Sequence, residues 1–149
     1  MRRPILILAF CFLMGAAASA ATGGVIKVLP QFLDLKGQSA LSPSLYDRDA
    51  YQAYLREHTT NILGMRFAVQ WKAHGTGELK VRVEIRGVSN GDLPAKIVLE
   101  QPVKAGIFSH WAYLRLTSDD YKRIGEVTAW RATLWDGDKL LGEQKSFLW

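Results

Sequence analysis

The side chains of this 149-residue chain that could do chemistry are few and scattered. His58, His74 and His110 are its three histidines, and their spacing leaves no H-x-x-x-H or H-E-x-x-H pair able to set two imidazoles on one metal. His58 falls at the end of an expected helix, where the dipole favours a cation, and His74 falls in a glycine-rich turn. No serine stands in a G-x-S-x-G elbow. Ser109 adjoins His110, but consecutive strand residues face apart and form no dyad. A small hydrolase would need the fold to gather His110 with a carboxylate such as Asp119 or Glu126 within hydrogen-bond reach. The carboxylate pairs Asp47/Asp49, Asp119/Asp120 and Asp136/Asp138 fall at a helix start or in turns, where capping and turn formation account for them. Asp136-Gly137-Asp138 lacks the later ligands of a calcium loop, and Gly75 and Gly77 precede a strand, so no helix N-terminus receives a phosphate. The expectation is a non-enzymatic protein with no catalytic residue, no metal and no cofactor.

Aromatic side chains are the better lead. The chain has five tryptophans, and exposed rings are what stack on sugars and what form the hot spots of protein interfaces. Trp71 follows the apolar phase of its strand and Trp130 is in phase with Ala132 and Leu134, so both are expected in a core. Trp135 has the opposite parity, which turns it outward with Arg131 and Thr133 and should leave more than half of its ring exposed. Trp111 and Tyr113 are two apart and share a face, whereas His110 points away from Trp111. The candidate binding residues are therefore His110, Trp111, Tyr113 and Trp135. Two functions are expected of such a set. The first is a protein-interaction or envelope-assembly module that uses a sheet face or an edge, with Pro30 and the final hairpin as contact surfaces. The alternative is a carbohydrate-binding module, which requires coplanar rings on one open face.

These residues are positioned by strands. Leu79, Val81, Val83 and Ile85 alternate with Lys80, Arg82, Glu84 and Arg86, the period of a strand with one face on a core. Met65, Phe67, Val69 and Trp71 alternate in the same way with Arg66, Ala68, Gln70 and Lys72, and the intervening His74-Gly75-Thr76-Gly77 predicts a hairpin between the two runs. After the turn signal Asn90-Gly91-Asp92, strands are expected over 96–103 and 107–116, and Ser118-Asp119-Asp120 reads as punctuation. The last hairpin, over 126–135 and 139–147, closes on Asp136-Gly137, a dipeptide suited to a primed turn. The first strand, 25–33, contains Pro30, which places it at an edge or bulge with a change of register there. One helix is expected over 43–58, with Ser42 as N-cap, Pro43 at the first position and Asp47 in the first turn, packing Tyr51, Tyr54 and Leu55 on the sheet.

Together these elements predict an all-β protein: an antiparallel β-sandwich of about seven strands with one short helix between the first and second. Strands recurring at this spacing, with a tryptophan in an early hairpin, make the chain resemble immunoglobulin-like domains at the level of fold. It lacks their cysteine pair, and Tyr121 stands only loosely where a tyrosine corner would be.

Composition and the N-terminus bear on the compartment. The chain is 48% hydrophobic and 22% charged, as ordinary globular domains are. Arg2 and Arg3, the apolar run Ile5–Met14 and Ala18-Ser19-Ala20 have the form of a signal peptide over residues 1–20, cleaved between Ala20 and Ala21, with the single domain occupying 21–149. The apolar run is too short to span a bilayer, so no integral membrane segment is expected after removal of the signal. Pro4 directly after the arginine pair, and Cys11 in mid-run, argue against a twin-arginine signal and a lipoprotein. A mature domain without cysteine, and without an N-x-[ST] sequon at Asn61 or Asn90, points to the bacterial periplasm or exterior. Losing Arg2 and Arg3 takes Lys+Arg from 19 to 17 against 14 acids, a net charge of +3 without clustered runs, so no nucleic-acid partner is expected. The partners expected are a protein or a glycan. The terminal Phe147 and Trp149 resemble the end of an outer-membrane barrel strand, but the same register puts Lys145 and Glu143 on the lipid face. Docking of both rings on the sandwich is the simpler expectation.

Overall fold

A computed structural model describes residues 21–88 and 94–149, so the signal peptide expected over residues 1–20 and the turn expected at Asn90-Gly91-Asp92 lie outside the described residues. The elements, in chain order, are β1 (Thr22–Asp34), α1 (Leu45–Glu57), a short 3-10 turn (Thr59–Asn61), β2 (Ile62–His74), β3 (Leu79–Val88), β4 (Pro94–Val103), β5 (His110–Leu116), α2 (Ser118–Ile124), β6 (Glu126–Asp136) and β7 (Lys139–Lys145). They form two antiparallel sheets, ordered β1-β2-β5 and β4-β3-β6-β7. This is the expected sandwich. The order follows the immunoglobulin constant-type arrangement, except that the fourth strand pairs with the third instead of the fifth.

The alternating patterns explain the core. Met65, Phe67, Val69, Trp71 and Ala73 of β2, with Ala112, Leu114 and Leu116 of β5, face Leu79, Val81, Val83 and Ile85 of β3 and Ala132 and Leu134 of β6. Trp130 also turns inward and meets Phe67 edge-on at 6.5 Å. Along one side the sheets approach so closely that a Cβ on Gly142 of β7 would stand 2.8 Å from the Cα of Gly24 in β1. Among the described residues no helix is long and apolar enough to cross a membrane.

Several local expectations are corrected. β2 and β3 do not form a hairpin; they belong to different sheets, and the connection through Gly75, at φ 103°, carries the chain across the sandwich. Period-two alternation states which side chains need a core, and both a hairpin and a crossover satisfy it. The N-cap of α1 is Ser44, whose hydroxyl accepts from the Asp47 amide, while Ser42 donates to the Asp47 carboxylate, so Pro43 precedes the helix. On α1 it is Gln52 and Leu55 that are buried, while Tyr54 stays exposed and stacks on His58 at 4.2 Å. Ser118-Asp119-Asp120 opens a second helix. Thr117 caps α2 by accepting from the Asp120 amide, and Gly125 at φ 68° ends it, so Tyr121 lies on a helix where a corner would be. Pro30 does sit in an edge strand, but the register shifts lie at Val25/Lys27 and Leu33/Asp34. β5 starts at His110 instead of residue 107, and β7 ends at Lys145. Phe147 is therefore fully exposed, and of the terminal rings only Trp149 docks, with the Arg86 guanidinium 3.8 Å from its centroid.

Candidate functional site: the outer face of the three-stranded sheet

Cross-strand register turns the outward side chains of β1, β2 and β5 into three rows. These are Lys27–Gln70–Trp111, Leu29–Ala68–Tyr113 and Gln31–Arg66–Arg115, with Lys72 one step beyond Gln70. Trp111 and Tyr113 remain 39% and 51% exposed, their planes within 14° of parallel and their centroids 6.4 Å apart. Ala68, the small middle member, is buried beneath its larger neighbours. The Trp71–His110 pair closes the inner side at one end of β5, and on the approach loop Ile107 and Phe108 stand exposed.

The third row is held from behind by α1 and the turn after β1. The Gln52 side chain accepts from the Phe32 amide at 2.8 Å and donates to the Phe32 carbonyl at 3.0 Å, standing in for a neighbouring strand on the β1 edge. It also donates to the Ser39 carbonyl at 2.8 Å. Asp34 tightens the same turn, accepting from the Lys36 and Gln38 amides and from the Tyr51 hydroxyl. Burial alone would raise the Asp34 carboxyl, but these donors hold it below the usual range. In return the hydrogen bond to Asp34, with burial, pushes the Tyr51 phenol up to about 12. Ser39 and Gln31 then fix Arg66. Its Nη2 donates to Ser39 Oγ at 2.6 Å and to Gln31 Oε1 at 2.7 Å, and its guanidinium lies 5.1 Å from the Tyr113 centroid. Burial, with the like charge of Arg115, pulls Arg66 below its ordinary value, though it remains a cation.

Of the four sequence candidates only two are brought together on one face. Trp111 and Tyr113 share the outer face of the three-stranded sheet. His110 lies on the inner parity against Trp71, 5.4 Å between centroids, and its ring occupies the space a side chain on Gly106 would need. It pairs with β2 at the Trp71 end, whereas Asp119 and Glu126 lie past the Leu116 end, a separation of about 20 Å at roughly 3.3 Å per strand residue. That distance removes the hydrolase arrangement. Trp135 faces outward on the other sheet as expected, but it is less than half exposed: Arg82 lies 5.3 Å from its centroid, and its Nε1 donates to Thr133 Oγ1 at 2.8 Å. At the far end a cleft of about 530 Å³ opens between the sheets beside Phe32, Met65 and Tyr121, where burial and Glu126 raise the Tyr121 phenol. Among the described residues no group of three His, Cys, Asp or Glu side chains could hold a metal.

Arg66, Arg115, Lys27 and Lys72 were missed as site residues, because in the sequence they read only as the polar phase of their strands. The shared parity of Trp111, Tyr113 and Arg115 could have flagged the last of these. Comparison with protein-family models, with curated proteins and with solved structures finds no match.

Proposed function

We propose that this chain is a non-enzymatic binding domain that engages a glycan through the outer face of its three-stranded sheet, with Trp111 and Tyr113 as the stacking surface. The observation that carries this reading is the pair of exposed rings lying within 14° of parallel on one face. Such rings accept the apolar C–H face of a sugar, and the half-buried Gln70 amide stands in the row of Trp111 to meet a hydroxyl. The pattern of residues 1–20 supports action after export, in the periplasm or outside a bacterial cell. The test is calorimetric titration of the protein from residue 21 onward with a panel of soluble oligosaccharides. At least one should bind, and Trp111→Ala or Tyr113→Ala should each weaken it about tenfold with an unchanged melting temperature. A panel with no ligand, or variants that bind like the parent, overturns the reading.

A protein partner is the second reading, favoured by Ile107 and Phe108, 79% and 77% exposed just before Trp111, and by the arginines beside the rings. Aromatic and arginine side chains dominate interface hot spots, and the outer edge of β5 pairs with no strand among the described residues, which suits strand addition. A photo-crosslinker at position 108 yielding a discrete protein adduct, with none from position 96 on the other sheet, would support this reading over the first.

A further inference from the structure

We infer that this face takes an acidic glycan, a sugar chain bearing carboxylates, with Arg115 and Arg66 as its anion subsite beside the Trp111–Tyr113 pair. The inference rests on the glycan reading and narrows the ligand within it.

Four cations, Lys27, Arg66, Lys72 and Arg115, share the outer face of β1, β2 and β5, and among the described residues none of them forms an ion pair with a carboxylate. Arg66 and Arg115 stand directly opposite each other, an arrangement that like charges on neighbouring strands disfavour. Arg66 is held there by Gln31 and Ser39, which take its Nε and Nη2, while Nη1 has no hydrogen-bond partner among the described residues. The Arg115 guanidinium is exposed and makes no hydrogen bond among the described residues. Its Nη1 reaches toward Gly37, where a missing side chain leaves room. Two arginines at opposed positions of neighbouring strands, one held by Gln31 and Ser39 and the other open to solvent, without a carboxylate partner among the described residues, are placed to take a planar carboxylate. Lys27 shares the row of Trp111 and Lys72 stands one row beyond it on β2, so that a chain crossing Tyr113 and Trp111 from the arginines meets further cations at the Trp111 end. Isolated carboxylates on a sugar chain suit this bracketing better than a continuous phosphodiester backbone, which calls for an unbroken track of cations.

The experiment titrates the protein from residue 21 onward with an oligogalacturonate, a neutral oligosaccharide of equal length and a single-stranded oligothymidylate. The acidic sugar should bind about tenfold tighter than the neutral one at low salt, with the advantage largely gone near 1 M salt, where the screening length is about 3 Å. Arg115→Gln should remove that advantage, bringing the acidic sugar to the affinity of the neutral one. Lys96→Gln, on the opposite sheet, should do nothing. Because Arg115 holds no other residue in place, the variant keeps its fold, and a matching melting temperature checks this. Equal binding of acidic and neutral sugars, or an unchanged preference in Arg115→Gln, overturns this inference and leaves the glycan reading standing. Tighter binding of the oligothymidylate than of the acidic sugar also overturns it, and failure of every sugar removes both.

Discussion

On the four-stranded sheet Glu84 lies between Lys96 at 2.7 Å and Arg131 at 3.8 Å. Glu100 lies between Lys80 at 3.2 Å and Arg82 at 2.6 Å, and Glu143 between Arg131 at 2.7 Å and Lys145 at 3.9 Å. On the three-stranded sheet the same residue types occur without the glutamates, so the cations of β1, β2 and β5 face outward without carboxylate partners among the described residues, and of the two rings only Tyr113 lies under an arginine, Arg66. Even the tryptophans differ. Trp135 and Trp149 lie under Arg82 and Arg86, while Trp111 is stacked only by Tyr113. One face pairs most of its cations with carboxylates and lays arginines over both its tryptophans; the other leaves its cations without carboxylate partners and Trp111 without an arginine. A count of charged and aromatic residues does not separate the two, because what matters is where carboxylates fall in the cross-strand register.

The comparison can be broken in three ways. The largest effect should come from Glu84→Lys, which removes two ion pairs and puts a third cation between Lys96 and Arg131. It should cost about 2 kcal/mol in urea unfolding, whereas Arg115→Glu, which sets a carboxylate opposite Arg66, should be neutral or slightly stabilising. Equal losses in both would mean that the faces do not differ. Trp149→Ala should cost about 0.5–1 kcal/mol by uncovering Arg86, which pairs with no carboxylate among the described residues. No change in melting temperature would show that the terminal ring only rests there. The smallest effect is in acid. The Arg82 hydrogen bond holds the Glu100 carboxyl below its ordinary value, against burial and with help from Lys80. A carboxylate held low contributes stability that is present above its unfolded pKa, about 4.3, and lost as pH falls through the folded value. Because Glu100 is partly solvated, the loss should be a few tenths of a kcal/mol. Glu100→Gln should flatten that acid limb and Arg115→Gln should leave it unchanged, as read from melting temperature between pH 5 and pH 3.

Much of the architecture was legible because it is local. The turn at Asp136-Gly137, the edge position of Pro30 and the inward parity of Trp71 and Trp130 all follow from neighbours in sequence. The second helix was hidden because Ser118-Asp119-Asp120 suits a turn and a helix start equally, and seven residues show too little periodicity to decide. Trp135 had the right face but the wrong exposure, since the Arg82 that covers it comes from β3. For the candidate site, Trp111 and Tyr113 were visible as a pair, but their cationic surroundings were not.

From the order of its residues alone, the chain determined which side chains turn to oil and which to water, because the pleat repeats every two residues and needs no knowledge of a neighbour. Only the tertiary structure decided that β2 and β3 part company and that Arg66 meets Arg115 across a distance of 49 positions. Partnership between strands depends on how two whole sheets share one core, and that is a property no single strand carries.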